Sequence, residues 1–382
     1  MRKILIILLI TSTTASAQIS LEKVDSISYA QFQNGDWDNL ILTAQEAFAN
    51  NIDFKYLRQR TGYAYFVKGK YYKAMHHYEK SLSFDPYDEI SHLYIYYSGL
   101  YTGNETYALY HASKLPDETK ESIGLKSIKL IDAIDAEYNK KINDNTLRSN
   151  PDYLRIGVSS QLGYRLKLYQ SVSRYSQTFE NTYYSVQNEY YALLGYSLTD
   201  KMNLKLGYHS VKTNVDSAGY VYEIPGKMFC GKIQFDISRF DVGISTSFFN
   251  DGYETTVQNG IEAGVTLPGK HFTYLKTSLY NINENNNNRF ILSQSAGMLF
   301  SKKFWAEANV TFGNLNNYVS AEGLYLYNSY DQTTFRTGAS MFWYVNKNLT
   351  LFSNYTYDKK LVVSDLSNYN QNSITGGIIW KL

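Results

Sequence analysis

From about residue 153 to the end, apolar and polar side chains alternate with a period of two, which limits the fold more than any other feature. Phe304, Ala306, Ala308, Val310 and Phe312 alternate with Trp305, Glu307, Asn309 and Thr311. Met202, Leu204, Leu206 and Tyr208 alternate with Asn203, Lys205, Gly207 and His209. The final segment sets Ile374, Gly376, Ile378, Trp380 and Leu382 against Ser373, Thr375, Gly377, Ile379 and Lys381. Neighbouring side chains of a strand point to opposite faces, so each run is a strand with one apolar and one polar side. Segments of about ten residues of this kind, separated by turns, are the pattern of a transmembrane β-barrel. A soluble β-sandwich shares the period. Tyr, Phe and Trp crowded at strand ends, and a chain that stops inside an amphipathic strand, favour the barrel.

The N-terminus points the same way. Met1-Arg2-Lys3, the apolar run Ile4 to Ile10 and the small residues ending in Ala15-Ser16-Ala17 read as a secretory signal peptide over residues 1–17. Seven apolar residues are too few to span a bilayer as a helix. Without Arg2 and Lys3, 35 basic residues face 35 acidic ones. That balance excludes the basic field a nucleic-acid binder needs. A single Cys excludes an intrachain disulfide framework, and a mean hydropathy of −0.37 excludes a bundle of transmembrane helices.

Residues 18–142 read as helical and repeating. Gly35, Gly69 and Gly103 are spaced 34 residues apart, which aligns Tyr29-Ala30, Tyr63-Ala64 and Tyr97-Ser98. Gly62, Tyr65, Ala74, Tyr78, Ser81 and Pro86 form the best-preserved unit. This period resembles the tetratricopeptide repeat, in which stacked helical hairpins share a core. The resemblance implies a solenoid that docks a protein partner. Thr119 to Lys141 reads as a closing helix, and residues 143–152 as a polar linker. His76 and His77, adjacent on a helix, are poor co-ligands for a metal and are read as solvent-facing.

The fold class expected is therefore α + β in separate domains: a tetratricopeptide solenoid, then a transmembrane antiparallel barrel of about 12 strands over residues 153–382. The first strand is placed near 153–167. Short turns are placed at Thr199–Asn203, Ser238–Asp241, Leu267–His271, Phe300–Lys303 and Asn346–Asn348. Longer outer connections are placed at Leu168–Val186, Val211–Tyr220, Asn281–Arg289 and Asn314–Thr334. In this register Arg155, Glu189, Lys205, Lys232, Asp236, Glu262, Lys276, Glu307 and Arg336 face the lumen, with Lys381 at the chain end and Cys230 as a small buried thiol. Mixed signs suggest cross-lumen ion pairs, since a selective pore usually shows one dominant sign.

The outer loop offers Asn314, Asn316, Asn317, Tyr318, Tyr325, Tyr327 and Asn328. Stacking rings and amides suit carbohydrate contact; the simpler reading is a folded segment that seals the mouth. No catalytic, cofactor or metal site is expected. His209 and Ser210 are adjacent and point to opposite faces of a strand, which speaks against a lipid hydrolase. The last hundred residues resemble Gram-negative outer-membrane barrel proteins that carry an N-terminal tetratricopeptide domain, and the chain end resembles the signal read by the barrel-assembly machinery. The resemblance implies an outer-membrane location, contact with its lipid, a periplasmic helical domain and a non-enzymatic docking role. Exopolysaccharide exporters, where periplasmic repeats precede a barrel, supply the alternative of an export channel for polysaccharide or another solute.

Overall fold

The computed structural model describes residues 20–125, 130–180, 182–199, 201–237, 239–267, 272–363 and 365–382. The signal peptide read at residues 1–17 and the turn residue His271 lie outside the described residues. Two compact units divide the chain, Met1–Leu115 and Pro116–Leu382.

The first unit holds three helical hairpins: α1 (Leu21–Gln33) with α2 (Trp37–Ala49), α3 (Lys55–Val67) with α4 (Tyr71–Leu82), and α5 (Glu89–Tyr101) with α6 (Glu105–Ala112). Side-chain caps start several of them: Asp88 accepts from the Ser91 N–H at 2.8 Å and Asn104 from that of Tyr107 at 3.1 Å. Gly35, Gly69 and Gly103 follow α1, α3 and α5 at φ of +68°, +68° and +75°, the left-handed conformation that ends a helix most easily with glycine. Gly62 brings α3 against α4, since a Cβ there would meet the Tyr78 ring at 2.9 Å. Leu40, Ala64, Ala74, Tyr78 and Ile95 form the shared core, which no single hairpin could bury alone.

His77 departs from expectation. Its ring stacks between Phe48 and Tyr65, and its Nδ1 accepts from the Arg58 guanidinium at 3.2 Å. Only its neighbour His76 is exposed. The aromatic cleft that Phe48 of α2 and Tyr65 of α3 form around this α4 side chain outweighs the polarity of the imidazole.

In the second unit the short α7 (Asp117–Ser122) precedes the sheet. The expected closing helix to Lys141 is instead mostly replaced by strand β1 (Ala133–Asn143), and the barrel starts twenty residues earlier than position 153. Ile134, Ala136, Tyr138 and Ile142 alternate with Asp135, Glu137, Asn139 and Lys141; helix-favouring Ala, Glu and Lys mask that alternation. Residues 143–152, expected as a linker, connect β1 to β2 (Asp152–Gly163). The remaining strands are β3 (Leu166–Phe179), β4 (Tyr183–Ser197), β5 (Met202–Ser217), β6 (Tyr220–Ile237), β7 (Phe240–Asn250), β8 (Thr255–Leu267), β9 (Thr273–Glu284), β10 (Asn287–Ser301), β11 (Phe304–Phe312), β12 (Gln332–Tyr344), β13 (Leu349–Leu361) and β14 (Asn368–Lys381).

These fourteen strands form a closed antiparallel barrel in sequence order, and β1 completes it on β14 from Ala133↔Lys381 to Asn143↔Gln371. The expected count of twelve omits β1, runs the first strand past its turn to position 167 and takes most of β3 as the outer connection Leu168–Val186. The hairpin between Gly163 and Leu166 is too tight to interrupt the apolar pattern. The single strand 304–312 followed by a long segment is as expected. The other outer connections are shorter than expected, because strands run on as paired ladders to turns at 179–183, 217–220 and 284–287.

Outside, Leu206, Phe229, Ile244, Ile261, Leu275, Leu292, Met341 and Ile378 face away from the lumen. Aromatics edge this band. Phe304 stacks on Trp343 near the end that holds both barrel termini, and Phe312 meets Phe335 eight residues further along. At about 3.3 Å per residue that separation is about 26 Å along a tilted strand, on the scale of a hydrocarbon layer. Outward-pointing Lys140, Arg174, Lys212, Glu223, Lys227 and Lys359 lie in the halves of their strands away from the termini, beyond the band.

Burial, with Arg58 nearby, depresses the His77 pKa from 6.5 to about 3, so the unfolded helices bind the proton first. Stability contributed by the neutral ring is therefore complete above pH 6.5 and lost as pH falls toward 3, at up to about 1.4 kcal/mol per pH unit. Thermal melts of the full chain followed by helical ellipticity should show this slope, and His77→Gln should flatten it.

Candidate functional site

The lumen is filled by the segment between β11 and β12. It turns inward at Gly313 and re-emerges at Asp331, with a two-rung hairpin of Val319–Ser320 against Tyr325–Leu326 at its centre. Leu315 and Tyr318 pack on Tyr280, Ile282 and Ile291, while Val319 packs among Tyr191, Met228 and Phe249. The Gln258 amide spans the Val319 backbone, donating to its carbonyl at 2.8 Å and accepting from its N–H at 3.0 Å. The Arg289 guanidinium donates to the Asn316 carbonyl at 2.5 Å.

At the tip, Ala321, Glu322 and Gly323 have φ of +50°, +51° and +91°. Three consecutive left-handed residues reverse the chain within the lumen. A Cβ at Gly323 would lie 1.9 Å from the Met228 methyl, so only glycine fits there. The Glu322 carbonyl accepts from the Tyr191 hydroxyl at 2.9 Å and from the Cys230 thiol at 3.0 Å. Its carboxylate reaches Lys205 Nζ at 3.1 Å and Lys232 Nζ at 2.9 Å. Lys232 also binds Glu262 at 2.6 Å, and Lys276 closes on the same Glu262. Lys205 is the fourth residue of β5 from the terminal end, so the tip traverses most of the barrel. His209 places Nδ1 2.7 Å from the Gly323 carbonyl and Nε2 3.6 Å from Glu189. With Nδ1–H donating, Nε2 faces the carboxylate.

All nine expected lumen charges point inward. Arg155 pairs with Glu137 and Asp135, each at 3.0 Å, and Arg336 with Asp358 at 3.2 Å. Asp236 accepts from Asn203 and Gln234. Glu307 borders the cavity and accepts from the Trp305 indole at 3.4 Å. Lys381 instead ends exposed, at the barrel rim.

The loop residues read as ligand contacts are turned inward and bonded to the protein. Asn314 donates to Gln332, Asn317 to Glu284 at 2.8 Å, and Tyr325 to Glu137 at 3.1 Å; Asn328 pairs with Gln187. Tyr318 packs against Tyr327, whose ring lies under Arg336. The segment lies inside the lumen as a plug, deeper than a folded cover over the mouth. Glu322 was not among the expected site residues. The signal available was a carboxylate flanked by Ala321 and Gly323 in a loop whose other charge is Asp331.

Beside the plug a cavity of about 540 Å³ follows the β8–β14 and β1–β4 walls. Glu189, Glu262, Lys276, Arg336, Asp358 and Lys360 line it, with Tyr153, Tyr175, Tyr280, Tyr325 and Tyr327. It extends from Phe342 and Phe352 near the terminal end to Thr333 and Lys360 near the other.

An apolar exterior, a charged lumen and complete edge-to-edge strand pairing define a membrane-spanning β-barrel with an internal plug. No family model and no curated protein matches the chain. Among solved structures, a bacterial polysaccharide outer membrane secretin is similar at 9 % identity, over 67 % of this chain and 100 % of its own, with a TM-score of 0.41. The CymD monoaromatic hydrocarbon channel is similar at 8 % identity, over 67 % and 90 %, with a TM-score of 0.46. A Pseudomonas aeruginosa FadL homologue is similar at 8 % identity, over 74 % and 94 %, with a TM-score of 0.41. The role of this chain is read from its own lumen.

Cys230, the single cysteine, reports on the plug because its thiol donates to the tip carbonyl. Removing one member of a buried charge cluster costs about 3–5 kcal/mol. Glu322→Ala should therefore raise the rate of Cys230 modification by a charged maleimide more than about tenfold. An unchanged rate would mean that the tip is not held by Lys205 and Lys232.

Proposed function

We propose that this chain is a non-enzymatic outer-membrane channel for polar solutes, closed by its own plug and opened when the tip leaves Lys205 and Lys232. The observation that carries the reading is the polar cavity alongside the plug, which runs between the two ends of the barrel. A barrel serving only as an anchor would need no such passage, and a hydrocarbon would find few apolar surfaces among these carboxylates and lysines. The tip is held by hydrogen bonds and ion pairs that water can replace, so a modest differential interaction is enough to shift it. Short turns at 163–166, 237–240 and 301–304 lie at the end of the termini, which in outer-membrane barrels is the periplasmic end.

In the same reading the three hairpins are tetratricopeptide repeats that lie in the periplasm and dock a protein partner. Support comes from their 34-residue period and from the aromatic row Trp37, Tyr63 and Tyr94 that crosses them. Polysaccharide export is the form of transport that the tyrosine-rich lining favours. A lipid hydrolase is disfavoured because His209 is enclosed against the plug, 1 % exposed, away from the outer rim.

Planar-bilayer recording tests the channel. The full chain should give small or brief currents, and a variant with residues 314–331 replaced by a short Gly-Ser turn should give large, steady ones. Silence from both, with both barrels assembled, would leave an anchor and no channel.

A further inference from the structure

The lumen wall near the end that holds the barrel termini carries an aromatic shelf. Trp305, Phe342 and Phe352 are direct register partners on β11, β12 and β13, on the inward face of each strand. The Phe342 and Phe352 rings stack at 5.8 Å and border the cavity, while Trp305 stacks on Tyr274 at 5.7 Å. Two glycines make room for these rings. A Cβ at Gly297 would run into Trp305 and Tyr274, and one at Gly377 into Phe352. The rings are only half-buried. One inward step along the strands, about 7 Å, lies the row Glu307, Ser340 and Asn354, which also lines the cavity.

Charge singles out Glu307. The cavity lining holds six carboxylates against four basic groups. Arg155 holds Glu137, Lys232 and Lys276 hold Glu262, Lys205 and Lys232 hold Glu322, and Arg336 holds Asp358. Glu189 is met by Ser173, Gln187 and His209. Glu307 makes no ion pair among the described residues; the Trp305 indole and the Tyr274 hydroxyl that bear on it are neutral. Lys276, two strands away on the same side, is committed to Glu262. Lys141 stands four strands away, and Lys360 lies toward the other end of the cavity. A carboxylate without a counter-charge beside half-exposed rings is the pairing that attracts an alkylated cation. The carboxylate meets the charge, the rings meet the alkyl groups, and the ring quadrupoles add to the attraction. A neutral sugar brings no charge for Glu307 to meet, and an anion is repelled by it.

We infer that the terminal end of the lumenal cavity binds an alkylammonium solute, its cationic nitrogen on Glu307 and its alkyl groups on the Phe342–Phe352 shelf. The inference rests on the channel reading and names a class of solute that the channel takes besides saccharide. At about 540 Å³ the cavity is within the range that encloses a small molecule.

Calorimetric titration of the full chain in a polyoxyethylene detergent tests this with choline, its uncharged carbon isostere 3,3-dimethylbutan-1-ol, and D-glucose as probes. Choline should bind, the isostere should bind at least about tenfold more weakly, and glucose should not displace choline. Glu307→Gln should weaken choline binding about ten- to hundredfold, between the water and protein-surface limits for one contact charge. Phe342→Leu, which keeps the apolar bulk and removes the ring, should weaken it several-fold. If Glu307→Gln does not assemble, Phe342→Leu carries the test. Absence of choline binding, equal binding of the isostere, displacement by glucose, or an unchanged affinity in the assembled variants would each overturn the assignment. A chain that conducts without its plug but ignores choline overturns this inference alone; one that binds choline but never conducts overturns the channel reading alone.

Discussion

A backbone N–H or C=O facing hydrocarbon has no water to bond, and an unsatisfied one costs several kcal/mol. The pairing of β1 with β14 removes the last free edges of the sheet. Everything else in the barrel depends on that closure. It obliges β1 to come from a stretch rich in Ala, Glu and Lys, and it brings Ala133 and Lys381 to the same end. It also fixes the alternation that sends Glu137, Asn139 and Lys141 inward while Ile134 and Tyr138 stay out.

Closure creates a second problem, because fourteen strands enclose more space than their own inward side chains fill. The chain answers with a segment of itself. The lumen then combines two kinds of contact. Leu315, Tyr318 and Val319 are buried against apolar side chains of the wall, worth about 1.5–3 kcal/mol for each fully buried aliphatic side chain. Glu322, by contrast, pairs with Lys205 and with Lys232, which it shares with Glu262, in contacts that offset a large desolvation cost. Net attraction is therefore concentrated in the apolar root, and the polar tip contributes mainly position.

Much of this architecture was legible in the residues, and the failures have physical causes. Strict alternation located most strands, and the inward register of Arg155, Lys232, Glu262 and Arg336 followed from it because a one-residue slip would put charge into hydrocarbon. Glycines spaced by 34 residues located all three helical hairpins. Alternation could not reveal the hairpin at Gly163–Leu166, where a tight turn keeps the period, nor β1, where local helix propensity competes with tertiary pairing. His77 shows the same competition, a polar residue drawn into an aromatic stack. The depth of the plug was least legible, since Asn and Tyr serve equally well in an exposed loop or against a polar wall. The Glu322 contacts join it to Lys205 and Lys232 across about a hundred residues of sequence, as no local pattern indicates.

The uneven attachment of the plug has a consequence for how the lumen can open. Withdrawing the root exposes Leu315 and Val319 to water and forfeits the Gln258 clamp on the Val319 backbone. Moving the tip exchanges carboxylate–ammonium contacts for hydration and for the pairings that Lys232 and Lys276 already make with Glu262. The tip also carries the greater strain, with Ala321 and Glu322 in left-handed conformation at about 1–3 kcal/mol each, whereas the left-handed residue of the root is Asn317, a type that tolerates it. Strain and replaceable contacts thus coincide at Glu322, while apolar burial holds the segment on either side of Tyr318. A hinge beside Val319, with the tip swinging and the root fixed, is the motion of lowest cost. It would widen the cavity where Tyr325 and Glu137 now meet and leave the barrel wall unchanged.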